Sequence, residues 1–434
     1  PWPMAGRLQA ADAQFDFKGT VVPAAAGTSV KLDAILQGES LDALARFLGY
    51  EPPKAGPYRF SFRAHLDQGG VHVTGLEGHI LGFAPWKTIQ IVQGDVSARK
   101  GGWVKASIDA ELDRAPLSLS FQAGPPTAGE PNTTAWPVQL EASGSGAVLT
   151  ADGSVVADQG GSRLQLATRV KGNRLDALGL LAGVSLPRIA RYDLRARVAS
   201  GDGVHELRDL AFQVGANRIT GSVRWDGTAT RPRLTGRLSL GRVTLGELLD
   251  AASKTSPRKR PAGLPDRPIR LDWLNKVDAK LDVDVSGVAD SPVAIEKVGA
   301  ALTVANGTLG ASFRGRVAGA DMRGQLELAR RSNRPTVSLK AAVGRIDAGQ
   351  TLRQLNLPDI LAGTVDAVQV DGRSTGETLH ALLEQADITV QIKPANVSCS
   401  GNMIPRQVDV TVAGAELAVR KGLPVTAALT GTLN

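Results

Sequence analysis

Along most of this chain small or aliphatic residues alternate with polar ones. Val30, Leu32 and Ala34 alternate with Lys31 and Asp33, until Ile35 and Leu36 break the pattern. Phe60, Phe62, Ala64 and Leu66 alternate with Arg59, Ser61, Arg63 and His65. Val104, Ala106, Ile108, Ala110 and Leu112 alternate with Lys105, Ser107, Asp109 and Glu111. The pattern returns at Leu164, Leu166 and on to Val170, at Leu194 to Val198, and at Leu281, Val283 and Val285. It recurs at Leu326 and Leu328, Val337 and Leu339 to Val343, Ile388 to Ile392 and Val408 to Val412. Successive side chains of a strand point to opposite sides of its sheet, so a period of two predicts strands with one apolar and one polar face. Parallel sheets covered on both sides read as continuous apolar runs, so antiparallel meanders are expected. Gly69-Gly70, Gly101-Gly102, Asp152-Gly153, Asp226-Gly227 and Asn306-Gly307 are the expected turns, since Asn-Gly and Asp-Gly supply the positive φ angles of tight hairpins.

Short helices interrupt the strands. Ser40 to Gly49 has an N-cap serine and a terminating glycine. Thr244-x-x-Glu247, Thr351-x-x-Gln354 and Ser374-x-x-Glu377 read as capping boxes. The tetrapeptide Leu-Asp-Ala-Leu occurs at 41–44 and 175–178, a displacement of 175 − 41 = 134, and Tyr58 answers Tyr192 at the same offset. A weaker third copy begins with Leu271-Asp-Trp-Leu274. Each copy reads as a short helix followed by hairpins, and such units bury a core by stacking on neighbours. The expected organisation is 1–123, 138–252 and 269–434, joined by loops at 124–137 and 253–268 into one continuous rod.

Composition narrows the function classes. The chain has 434 residues, 42% hydrophobic and 21% charged, which gives ample apolar material for a core and argues against disorder. One cysteine, Cys399, excludes a disulfide scaffold and a cysteine-based zinc cluster. No run of 18 apolar residues is present, so no helical membrane span is expected. The opening Pro1-Trp2-Pro3 has neither basic nor apolar leader and reads as a processed or truncated piece. Lysine and arginine outnumber acidic residues by 50 − 42 = 8, but the only dense run is Lys254 to Arg260, among prolines, and it reads as a solvated loop.

Chemistry is not evident. The sequence has no G-x-x-x-x-G-K, G-x-S-x-G or H-E-x-x-H motif, and no catalytic residue, cofactor or enzyme activity is expected. His65, His72 and His79 fall seven apart without other ligands at metal spacing, so they read as surface residues. Asp282-x-Asp284 begins like a calcium loop, but Val293 stands where the bidentate glutamate belongs; it reads as the acidic face of a strand. Eighteen aromatics among 434 residues are too few for a basic, base-stacking surface, so nucleic acid is not an expected partner. What remains is a large amount of one-sided apolar sheet. In a sandwich that face is core; in an open, twisted sheet it is a groove that needs something oily in it.

A family resemblance chooses between these. Pro232-Arg-Leu-Thr-Gly-Arg-Leu-Ser-Leu-Gly-Arg-Val-Thr-Leu-Gly-Glu-Leu-Leu249 is followed by Pro268-Ile-Arg-Leu-Asp-Trp-Leu and Val304-Ala-Asn-Gly-Thr-Leu-Gly310. Gly315-Arg-Val-Ala-Gly-Ala-Asp-Met-Arg-Gly324 and Val370-Asp-Gly-Arg-Ser-Thr-Gly376 come next. In order and spacing this series resembles the C-terminal region of the AsmA family of Gram-negative envelope proteins, most clearly over 230–400 and more loosely over 30–230. The resemblance implies a mostly β chain forming an elongated, strongly twisted antiparallel β-groove, taco-like, built of repeated hairpin units with a few short helices. It implies a protein of the periplasm, tethered to the inner membrane through a segment absent here, that supplies phospholipid to the outer membrane.

On that expectation some 25 to 30 strands about 4.8 Å apart make a trough on the order of 120–140 Å long. Each buried methylene is worth about 0.8 kcal/mol, so an acyl chain needs an apolar wall along its whole route. The candidate lining residues are Val30, Leu32, Phe60, Phe62, Ile108, Leu164, Leu166 and Leu194, with Leu281, Val283, Val285, Leu326, Leu328, Val337 and Leu339. The rival expectations are a scaffold for outer-membrane protein assembly, offering sheet edges to other strands, and a structural β-solenoid with a closed core.

Overall fold

The alternating segments are strands, and the protein is mostly β. A computed structural model describes residues 1–10, 12–24, 27–41, 55–128, 133–158, 161–183, 186, 190–244, 269, 271–289, 291–331, 334–355, 361–393, 395–401, 404–420 and 423–433. Contacts divide the chain into Pro1–Asp202 and Gly203–Asn434.

The first unit holds β1 (Trp2–Ala10), β2 (Ala13–Ala24), β3 (Gly27–Gly38), β4 (Tyr58–Asp67), β5 (Gly70–Leu81), β6 (Thr88–Arg99) and β7 (Val104–Leu112). It continues with β8 (Ala115–Ala123), β9 (Thr127–Ala128), β10 (Thr134–Gly144), β11 (Ala147–Asp158), β12 (Gly161–Arg174) and β13 (Ala190–Gly201). Each pairs antiparallel with the next, except that β10 takes both β8 and the short β9 as partners on one side. The expected loop 124–137 thus contains β9 and the start of β10.

The second unit holds β14 (Val204–Val214), β15 (Asn217–Asp226), β16 (Arg233–Val243), β17 (Asp278–Val288), β18 (Ile295–Ala305), β19 (Thr308–Val317), β20 (Ala320–Arg331) and β21 (Arg334–Val343). After these come β22 (Ile346–Asp347), β23 (Leu361–Val365), β24 (Val368–Thr375), β25 (Asp387–Ile392), β26 (Ala395–Gly401), β27 (Ile404–Arg420) and β28 (Leu423–Leu433). Pairing is antiparallel except between β16 and β17, which run parallel from Arg233 opposite Asp278 to Val243 opposite Val288. A parallel neighbour needs a long return path, and residues 244–277 supply it. The sheet stays open instead of closing into a barrel.

Turn chemistry follows backbone need more than the dipeptide rule. Asn306-Gly307 turns as expected, with φ of 52° and 75°, but Ser145-Gly146 and Ala318-Gly319 make the same double-positive turn. Asp152-Gly153 is not a turn: it lies inside β11, where a Cβ on Gly153 would stand 2.0 Å from the carbonyl oxygen of Gln165. Glycine is needed there so that β12 can approach. Mid-strand bulges recur, with two residues opposing one: Gly75-Leu76 against Phe62, Arg208-Asp209 against Ser222, and Lys297-Val298 against Gly315. Each bends its strand and sharpens the local twist.

Three short helices are described: α1 (Leu175–Ala182), α2 (Ala348–Gln354) and α3 (Leu379–Glu384). Their caps differ from those expected. The ladder runs on through Thr375, so Ser374 stays in β24 and Thr378 caps α3, its Oγ1 accepting from the Ala381 N–H at 3.1 Å. Asp347 caps α2, accepting from the Gln350 N–H at 2.6 Å, in place of Thr351. The helix expected after Ser40, the box at Thr244 and the basic run Lys254 to Arg260 lie outside the described residues.

Candidate functional site

Directly paired residues of neighbouring strands project to the same face of a sheet, so the register decides which side chains share a surface. In the first unit Val30 stands between Val21 and Leu66, and Leu32 between Gly19 and Ala64. Phe60 is opposite Leu36 and Phe62 opposite Ala34. Ile108 lies between Gly94 and Leu119, Leu164 beside Val155, Leu166 between Gly153 and Val198, and Leu194 beside Val170. Followed strand by strand, these pairs put all eight candidates on one face. In the second unit Leu281, Val283 and Val285 oppose Gly236, Leu238 and Leu240 on β16 and Leu302, Ala300 and Val298 on β18. Leu326 and Leu328 oppose Leu339 and Val337. These seven also share a face within their own unit.

None of the fifteen is fully enclosed; every one is half-buried. Small residues supply many of the buried positions. More than half of the buried hydrophobic residues are alanines, among them Ala34, Ala64, Ala110, Ala151 and Ala196, and Leu274 is the one large side chain that is fully enclosed among those described. In a sealed core the large aliphatic residues are the most buried. In both units the large aliphatic side chains of the face keep some contact with water.

Two elements do cover parts of it. In the second unit a 3-10 turn, Asp272–Asn275, sets Leu271 and Leu274 on Val304, with Ala279, Leu309 and Leu328 packed around them. Leu328 is thus part of a small core. In the first unit α1 follows β12 directly and touches β8 and β13. At matched positions, 134 residues apart, Tyr58 lies over Gly38 and Tyr192 over Gly172, where a Cβ would meet the hydroxyl at 2.7 and 2.5 Å. Both rings are almost fully buried with unpartnered hydroxyls, and burial raises both phenol pKa values.

The opposite face is charged and laced across strands. The Arg7 guanidinium bonds Asp16 at 2.5 Å and, with Gln14, holds its carboxyl below the usual range. Arg169 does the same for Asp193, and Arg208 with Arg224 for Glu206. Asp282 lies 3.9 Å from Arg237 on this face, as the acidic side of β17. Two shallow, open depressions sit among these polar rows, one of about 590 Å³ bordered by Ser312, Arg323, Gln325, Lys340 and Asp371. Their linings also include Phe313 and Val370 in one and Val73, Val96 and Phe121 in the other.

Sequence spacing missed several members of the apolar face. Phe15 and Phe17 stack at 5.6 Å, and Phe15 reaches Phe62 at 6.5 Å across β3. Leu117, Leu119 and Phe121 extend the face along β8, and their alternation with serine was the available signal. His65 and His72 prove to be direct cross-strand partners, with Asp67 3.3 Å from His65. Among the described residues no group of three or more metal-ligating side chains forms, and no helix is long and apolar enough to cross a membrane. No family model, curated protein or solved structure matches this chain.

Proposed function

We propose that the chain carries phospholipid acyl chains along its apolar face, as an AsmA-like periplasmic protein that moves lipid between inner and outer membrane. The observation that supports this reading is that all fifteen apolar side chains share a face within their unit and none of them is fully enclosed. An aliphatic face of this extent in water is costly, and monomeric proteins seldom expose contiguous apolar patches beyond a few hundred Å². Acyl chains fit it better than a specific small ligand does. The register offers rows of aliphatic side chains from strand to strand, so a hydrocarbon meets a similar wall at each step and gains about 0.8 kcal/mol per methylene. Headgroups stay in water at the open side. No catalytic role is assigned.

The test is direct. Lipid extracted from the purified protein should contain stoichiometric phospholipid, and photo-crosslinkers at Phe62 and Val283 should capture it, whereas the same probe at Ser107 or Lys340 on the polar face should not. Protein that purifies free of lipid and gives no lipid adduct at Phe62 or Val283 refutes the reading.

A further inference from the structure

On the polar face of the second unit two registered rows run side by side across β19, β20, β21, β24 and β25. One is Ser312, Gln325, Lys340, Asp371 and Thr389; the other is Arg314, Arg323, Ala342, Gln369 and Gln391. Ala342 interrupts the second row, as a short side chain among long ones. Arg323 and Gln369 stand on either side of it, two strand spacings or about 10 Å apart. The gap between them belongs to the depression of about 590 Å³. Phe313, Gly324, Ala341 and Val370 also line it, but they form the intervening row, whose side chains project to the other face.

The groups around this gap are available to a ligand. Arg323 has no ion-pair partner among the described residues, because Asp321, two residues along β20, is held by Arg316 at 3.2 Å. Arg314, directly opposite Arg323, leans over Gly299, where a Cβ would lie 3.7 Å from its Nε and 3.3 Å from the Asp284 carboxylate. Like charges directly opposite destabilise a ladder, and this lean lowers the cost while Arg323 stays at the furrow. Lys340 is the diagonal neighbour of Arg323, roughly 7–8 Å away along the backbone. Its tie to Asp371 is loose, 3.8 Å between two exposed side chains. Gln325, Gln369 and Gln391 form no side-chain hydrogen bond among the described residues.

Two cations at diagonal positions suit one phosphate, which a guanidinium meets bidentately and an ammonium as a point charge. Glutamine amides and a threonine hydroxyl each donate and accept, which matches the hydroxyls of a sugar. The ring of Phe313 lies over Gly324 on the other face, so a nucleotide base would find nothing here to stack on. We propose that this furrow binds a phosphorylated saccharide, with the phosphate on Arg323 and Lys340 and the ring hydroxyls on Gln369, Gln391 and Thr389. The inference concerns the face opposite the apolar one, so it holds whether or not acyl chains occupy that side.

Saturation-transfer NMR of the full chain with glucose 6-phosphate at low salt tests it, with unphosphorylated glucose as a second ligand and inorganic phosphate as a competitor. Glucose 6-phosphate should bind at least about tenfold tighter than either, and R323Q should weaken it about tenfold, the usual worth of a charge-assisted hydrogen bond. Gln369→Ala should weaken the sugar phosphate and leave inorganic phosphate unaffected. Ala342→Gln lays a long side chain across the floor and should block the site, with circular dichroism unchanged. The control K280Q removes one positive charge from the same face three strands away, on β17, and should have little effect. Phosphatidylcholine vesicles carrying phosphatidylinositol 4-phosphate tell the source: competition that depends on Arg323 assigns the furrow to a lipid-borne headgroup, and its absence to a free sugar phosphate. Glucose binding as tightly as its phosphate, inorganic phosphate competing on equal terms, Gln369→Ala without effect, or K280Q costing as much as R323Q overturns the proposal.

Discussion

A carboxylate placed on the apolar face distinguishes an open trough from a dry core. Leu166 and Leu339 are suitable positions, one in each unit, with Gly153 and Val198 beside the first and Leu326 and Gly372 beside the second. Both are half-buried. Fully burying a leucine is worth about 1.5–3 kcal/mol, so at half burial Leu166→Asp or Leu339→Asp should cost about 1–2 kcal/mol. Water already reaches the site, so the new carboxylate stays solvated and adds little. In a sealed core the same change leaves an unpaired buried charge, a penalty of at least several kcal/mol. Leu274→Ala provides the internal scale: this residue is fully enclosed, and its truncation should cost about 3–5 kcal/mol. Urea unfolding followed by circular dichroism, with each variant compared at constant m-value, reads the differences. Either aspartate variant losing as much stability as Leu274→Ala, or failing to fold, would show that the face is covered, and the trough argument would fall with it.

Three further outcomes are expected. Tyr192→Phe removes a buried hydroxyl that has no partner, so it should leave thermal stability unchanged or raise it by about 1–3 kcal/mol, and a loss above 1 kcal/mol would reveal a bond the geometry does not show. Gly153→Ala should cost about 1–3 kcal/mol because its Cβ meets the Gln165 carbonyl, while Gly241→Ala, with nothing within 4 Å, should stay within about 0.5 kcal/mol in the same melt. The carboxyls of Asp16, Asp193 and Glu206 are held low by arginine, so their stabilisation is complete above the ordinary carboxylate range and is lost as pH falls through their depressed folded values. These groups are close to solvent, so acid unfolding should begin only below about pH 4, and Asp193→Asn should flatten the slope of stability against pH there.

Much of the fold is legible because the signal is binary. From Phe60 to Leu66 and from Val104 to Leu112 the alternation alone identifies strand and face, and the register then carries that face to neighbours such as Phe15 and Leu119. Departures arise where one residue is added or a backbone need is met without its usual side chain. A bulge at Gly75 or Lys297 inserts one residue and switches parity, so the alternation breaks although the face does not. Asp152-Gly153 has the signature of a turn, yet its glycine serves strand approach, and Ala318-Gly319 turns without the signature. The parallel step from β16 to β17 is invisible to periodicity, because a strand reads alike in either direction. The pairing of His65 with His72 depends on register, which spacing along the chain cannot supply.

The internal repeat shows what this architecture has to keep. At an offset of 134 residues the chain retains Tyr58 over Gly38 as Tyr192 over Gly172, and the bulge at Gly75, φ 60°, as a bulge at Asp209, φ 51°. Glycine gives way to aspartate at the second site because aspartate is one of the few other residues that tolerates a left-handed backbone. The identity changes and the bend stays. A tyrosine laid over a glycine brings a large ring close to the sheet at the end of a strand, and a mid-strand bulge sharpens the twist beyond it. In the first copy the two devices act on one strand pair, β4 and β5. The small residues Ala34 and Ala64 in one copy and Ala196 in the other are buried, while the larger aliphatic candidates on the same face are only partly so. A sandwich would select the reverse, with large side chains interlocking across two sheets and no recurring device to bend a single one.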